Sequence, residues 1–166
     1  MDTARLFLAL WPDAAVRAQL AARRDAWTWP RGATPVHDAK LHLTLHFLGS
    51  APRARLPELL DGFAVAFEPF RLEIGPALAW PHGIAVLEPC AVPPALPALH
   101  ARLADALLHL GLQPEARAYR PHVTMARRAG GAGLPADAPP IVWDVQGYAL
   151  VESRPGEGYT VLREYR

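Results

Sequence analysis

The chain has 166 residues, is 51% hydrophobic and 20% charged, and carries a formal net charge of +1 at pH 7. That length suits one domain burying roughly two thirds of the surface its unfolded form would expose, and the near-zero charge excludes a protein that coats nucleic acid by bulk electrostatics, so any recognition of an anion must be local. The lone cysteine, Cys90, excludes an internal disulfide and any Cys-cluster metal site, and the apolar run from Leu6 to Trp11 is too short for a membrane span or a signal sequence, which points to a cytoplasmic protein with no membrane partner.

Over residues 5–11, Leu6, Leu8 and Leu10 alternate with Phe7 and Ala9, so both faces of this first strand are apolar and it belongs in the middle of a sheet. Pro12 and Asp13 end it, and Val16, Leu20 and Trp27 then fall near helical spacing over residues 13–27. A strand is expected over 42–48. Leu56, Leu59, Leu60, Phe63 and Phe67 predict a second helix. Strands follow over 70–78 and 84–87. Leu96, Leu99, Leu103, Leu107 and Leu110 predict a third helix, stopped by Gly111. The remaining strands are read over 122–127, 141–151 and 159–162. Residues 130–140, rich in Gly and Pro, read as a mobile loop, because too little chain follows them to build a second core. The mixture, without regular βαβ alternation, predicts an α+β fold with largely antiparallel sheet in one domain over residues 1–166.

Two segments stand out. Residues 40–47 alternate without interruption, with Leu41, Leu43, Leu45 and Phe47 on one side and His42, Thr44 and His46 on the other. That phase points Phe47 into the core and leaves Tyr159 and Trp29 as further aromatics with no assigned site role. In residues 120–125 the device recurs, with Val123 and Met125 set against His122 and Thr124. One such strand is ordinarily the solvated face of a sheet; the repeat points to a shared site. Imidazole is the side chain whose pKa allows one copy to act as base while another acts as acid at the same pH, and a threonine hydroxyl at each can hold a phosphoryl oxygen.

His-Leu-Thr-Leu at 42–45 and His-Val-Thr-Met at 122–125 resemble the paired H-x-T-x signatures of the 2H phosphoesterase superfamily. Their settings, with the opening Arg-Leu-Phe-Leu-Ala-Leu and the closing Leu-Val-Glu-Ser-Arg before Gly-x-Gly-Tyr, are similar to its RNA 2′,3′-cyclic phosphodiesterase branch, also called 2′-5′ RNA ligases. The resemblance implies a bilobal fold of two largely antiparallel sheets with outer helices and a central cleft between pseudo-symmetric lobes. It implies hydrolysis of an RNA 2′,3′-cyclic phosphate end to a 2′-phosphomonoester by a monomer that needs neither metal nor cofactor. His42 is then the proton donor and His122 the acceptor, with Thr44, Thr124 and Arg127 binding phosphate. Strict alternation sets Arg127 on the face opposite His122, so either the strand bulges or ends there, or Arg120 or Arg128 serves instead.

The alternatives are joining or cleaving 2′-5′ linkages at the same site, and an RNA-end binding module without turnover. A metal hydrolase is disfavoured: His42 and His46 lie about 13 Å apart on a strand, too far to share one ion. His37, His82, His100 and His109 show no partner pattern and are expected on surfaces or helix faces.

Overall fold

A computed structural model describes residues 2–166. It contains nine strands in one sheet and, among the described residues, three α-helices: β1 (Thr3–Leu10), α1 (Ala14–Asp25), β2 (Thr34–Pro35), β3 (Leu43–Pro52), α2 (Leu56–Gly62), β4 (Phe70–Trp80), β5 (Ile84–Pro89), α3 (Ala95–His109), β6 (Val123–Arg127), β7 (Ile141–Val145), β8 (Tyr148–Arg154) and β9 (Gly158–Tyr165). The strand order is β7-β4-β5-β6-β3-β1-β8-β9, with β2 beside β6, and every pairing is antiparallel. The two expected sheets are therefore halves of one strand path. Each half runs outward through four strands, and they meet where β3 pairs with β6 through Leu43 and Val123 alone.

One face of the path carries the helices and the main core. Leu6, Leu8 and Leu10 of β1 and Leu43 and Leu45 of β3 are buried there with Leu20 of α1 and Leu99, Leu103 and Leu107 of α3. Asp13 caps α1 by accepting from the Val16 N–H at 2.8 Å. At the end of α3, Gly111 takes φ +77° and the Leu112 N–H reaches back to the Leu107 carbonyl, a left-handed glycine stop that only a residue without Cβ accepts cheaply. On the opposite face Phe7 and Ala9 of β1 join Ala149 and Val151 of β8 in a small second cluster, flanked by Trp11 and Tyr159. Apolar residues on both sides of β1 thus do what a central strand requires.

Several boundaries differ from the periodicity. The second helix stops at Gly62 instead of running to Phe67. There the Tyr148 hydroxyl donates to the Phe63 carbonyl at 2.6 Å and accepts from the Val65 N–H at 2.9 Å, replacing helical partners with tertiary ones. The expected 141–151 strand is two, broken at Gly147, where a Cβ would collide with the Tyr165 carbonyl oxygen. The 130–140 connection is pinned to the body: Thr28 and Gly133 exchange a pair of backbone hydrogen bonds, and Arg23 donates to the Pro139 carbonyl. Among the described residues no helix is long and apolar enough to cross a membrane.

Candidate active site

The junction of the two halves places the sequence-predicted residues. Antiparallel pairing of Leu43 with Val123 sets their neighbours on one common face, His42 toward Thr124 and Thr44 toward His122. On a regular ladder the two imidazoles are then diagonal neighbours, about 7–8 Å apart at the backbone. All four side chains are half-buried, while Leu43 and Val123 between them are fully buried on the other face.

Both histidines are held alike by the main chain. His42 donates its Nδ1–H to the Lys40 carbonyl at 2.7 Å, and His122 donates its Nδ1–H to the Arg120 carbonyl at 2.8 Å. A carbonyl only accepts, so each neutral ring must carry its proton on Nδ1, leaving Nε2 as the lone-pair nitrogen. Nε2 of His42 lies 2.8 Å from the Thr44 hydroxyl.

Their surroundings differ. His42 packs against Phe7 at 4.8 Å between ring centroids, Tyr159 at 5.6 Å and Trp11 at 5.9 Å. Burial pushes its pKa down to about 4, and the positive charges of Arg17, His122 and Arg127 add to the fall, against the opposing pull of the Lys40 carbonyl. Arg17 also donates to the carbonyls of Asp38 and Leu41, fixing the chain that leads into His42. His122 packs against Trp80 at 4.3 Å. Burial lowers its pKa too, but the Arg120 carbonyl and the charge of Glu88 pull it back up.

Two bulges revise the simple alternation. Beside β3, Leu8 pairs with His46 but Ala9 pairs with Thr44, so Leu45 is an extra residue. The phase slips, His46 turns into the protein at 4% exposure, and Phe47 comes out at 53%, contrary to the inward placement expected for it. Beside β6, Ala85 pairs with Ala126 but Val86 pairs with Thr124, which makes Met125 the extra residue. Arg127 lies beyond that slip, and its charge bears on both imidazoles. Arg120 is committed elsewhere, in an ion pair with Glu88 at 2.7 Å and over the Trp80 ring at 4.5 Å. Arg128 sits at φ +53° in the turn after the strand.

His46 and His100 do have partners. Their rings stack at 3.9 Å, and His100 stacks in turn on Tyr119 at 3.9 Å. The Tyr119 hydroxyl donates to the Thr44 carbonyl at 2.9 Å, which ties this column to the site. A cavity of about 280 Å³ beside it is lined by Thr44, Phe47, Trp80, Tyr119 and Arg120. Trp29 stacks on Trp27 at 5.0 Å, whereas Tyr159 borders His42. Sequence reasoning missed Phe7, Trp11 and Glu88, whose only signal is their register beside the histidine strands, and Trp80, which reaches His122 from β4, one strand further out. Among the described residues no group of three or more His, Cys, Asp or Glu side chains converges as a metal site would require.

Solved structures share this arrangement of strands. A crystal structure of a phosphoesterase superposes with a TM-score of 0.84 at 26% identity, covering 98% of this chain and 97% of that one. The E. coli LigT structure complexed with 3′-AMP gives 0.81 at 26% identity, covering 98% and 97%. An RNA 2′,3′-cyclic phosphodiesterase of Thermus thermophilus is 31% identical over 97% of this chain and 89% of its own length. The model of the 2′-5′ RNA ligase superfamily matches residues 11–156, across both histidine strands and the junction between them, and the chain belongs to that superfamily.

Proposed function

We propose that the protein hydrolyses the 2′,3′-cyclic phosphate at the end of an RNA to a 2′-phosphomonoester, as a monomeric single domain, with His42 and His122 as its acid and base and without a metal. The observation that carries this reading is the register at Leu43 and Val123, which turns two distant His-x-Thr segments toward one another on one face. Support comes from the relatives named RNA 2′,3′-cyclic phosphodiesterase and from a related structure that holds 3′-AMP.

In the reaction, water attacks phosphorus in line with the bond to O3′. His122 Nε2 takes the water proton as the new P–O bond forms. The P–O3′ bond breaks and His42 Nε2 delivers a proton to O3′. Thr44, Thr124 and Arg127 hold the non-bridging oxygens. His42, with a pKa near 4 when the site is free, is mostly neutral at pH 7. The anionic phosphate itself loads it, since a negative charge placed between the rings favours the imidazolium, and an imidazolium of low intrinsic pKa gives its proton up readily.

The test uses an RNA ending in a 2′,3′-cyclic phosphate, incubated with the protein and excess EDTA, with the monoester identified. A 2′-phosphate is expected, and His42→Ala and His122→Ala should each lower kcat by about 10²–10⁴ while the double variant is little worse. Full activity in either single variant, loss of activity in EDTA, or a joined 2′-5′ product as the main species would overturn the reading.

A further inference from the structure

The two halves of the sheet place different residues at one equivalent position beside their histidines. Leu10 pairs with Leu43 in one half and Leu87 pairs with Val123 in the other. One step outward along each ladder, Trp11 comes opposite His42 and Glu88 comes opposite His122. Equivalent places in the fold thus hold an indole in one case and a carboxylate in the other.

Glu88 is not a loose surface acid. Its Oε2 accepts from the Trp80 indole N–H at 3.0 Å and forms an ion pair with Arg120 at 2.7 Å. Trp80 lies against the His122 ring, Arg120 lies over Trp80, and the Arg120 carbonyl takes the His122 Nδ1–H. The carboxylate therefore joins β4, β5 and the approach to β6 in one frame around a single imidazole. Cross-strand neighbours on one face have Cβ atoms about 4.5–5.5 Å apart, close enough for a carboxylate to favour an imidazolium.

We infer that Glu88 is a positioning residue for His122: through the Trp80 and Arg120 frame it fixes the ring and stabilises the positive charge that appears when His122 takes a proton from water. The inference rests on the acid and base reading above and makes the two histidines inequivalent by construction. The charged and titratable groups that bear on His122 are Glu88 from β5, Arg120 ahead of β6, Arg127 within β6, and His42 across the junction. Glu88 is the one anion among them. Replacing it by an amide removes that anion and also leaves Arg120 uncompensated, so both changes lower the proton affinity of His122.

The experiment is an NMR titration of the histidine Cε1–H signals in the free protein, compared among wild type, Glu88→Gln and Glu88→Asp, followed by pH profiles of kcat. The amide variant should move the His122 midpoint to lower pH and leave that of His42 in place. Its kcat near neutral pH should fall about threefold to tenfold, and the limb of the profile that belongs to His122 should shift the same way. Glu88→Asp, which keeps the charge, should restore most of both. A His122 midpoint that is unchanged in Glu88→Gln, or an amide variant as active as wild type with an unshifted profile, overturns the inference. The titration needs no substrate, so its outcome stands apart from whether a cyclic phosphate is the molecule turned over.

Discussion

The packing of His42 makes the stability of the fold depend on pH in a way that one substitution should remove. Its folded pKa is about 4 against 6.5 for a free histidine. Above pH 6.5 the ring is neutral in both folded and unfolded chains and nothing is lost. As pH falls from 6.5 toward 4, the unfolded chain takes up a proton that the folded one refuses, so stability declines through that window and levels off below it. At about 1.4 kcal/mol per pH unit the full span is roughly 3 kcal/mol, and since the ring is only half-buried a loss of about 1–3 kcal/mol is expected. Urea unfolding of wild type and His42→Gln at about pH 7 and about pH 4.5 measures it. His100, also held near 4, and His46 contribute equally to both proteins and cancel in the comparison. The variant should lose that much less stability on acidification. Parallel losses in the two proteins would refute the claim that the cage of Phe7, Trp11 and Tyr159 keeps His42 neutral.

Tyr119→Phe removes the bond to the Thr44 carbonyl while keeping the stack on His100, and should lower unfolding free energy by about 1–2 kcal/mol and kcat with it, read by denaturant melts and steady-state turnover. Leu43→Ala empties packing beneath the one pair that joins the halves; a fall of about 2–5 kcal/mol in stability is expected by the same melts, and a loss under 1 kcal/mol would mean that the junction does not depend on that side chain.

The core was readable because it obeys simple periods. Leucines two apart in β1 and three or four apart in α3 are buried where the pattern puts them. His42, Thr44, His122 and Thr124 were likewise found from alternation, and the structure brings their segments to one face. What escaped is what period cannot carry. A bulge inserts one residue without changing its chemical type, so nothing in Leu45 or Met125 announces that His46 will turn in or that Phe47 will turn out. Glu88 and Trp11 come beside the histidines through cross-strand register with residues far away in the chain, and register belongs to the assembled sheet. The early end of α2 reflects a tertiary competitor, the Tyr148 hydroxyl, for backbone groups that a helix would otherwise satisfy. β2, two exposed residues against β6, has no apolar pattern to read.

Because the acceptor for each Nδ1–H is a peptide oxygen two positions upstream, the choice of tautomer is written into strand geometry and not into any side chain. Lys40 and Arg120 can therefore drift in identity without scrambling which nitrogen holds the hydrogen. A proline insertion or a register slip in either approach would do so at once. Mutational tolerance at Lys40 should accordingly be wide for residue type and narrow for chain length, whereas a change at Arg120 keeps the tautomer but gives up the side chain that joins Glu88 and Trp80.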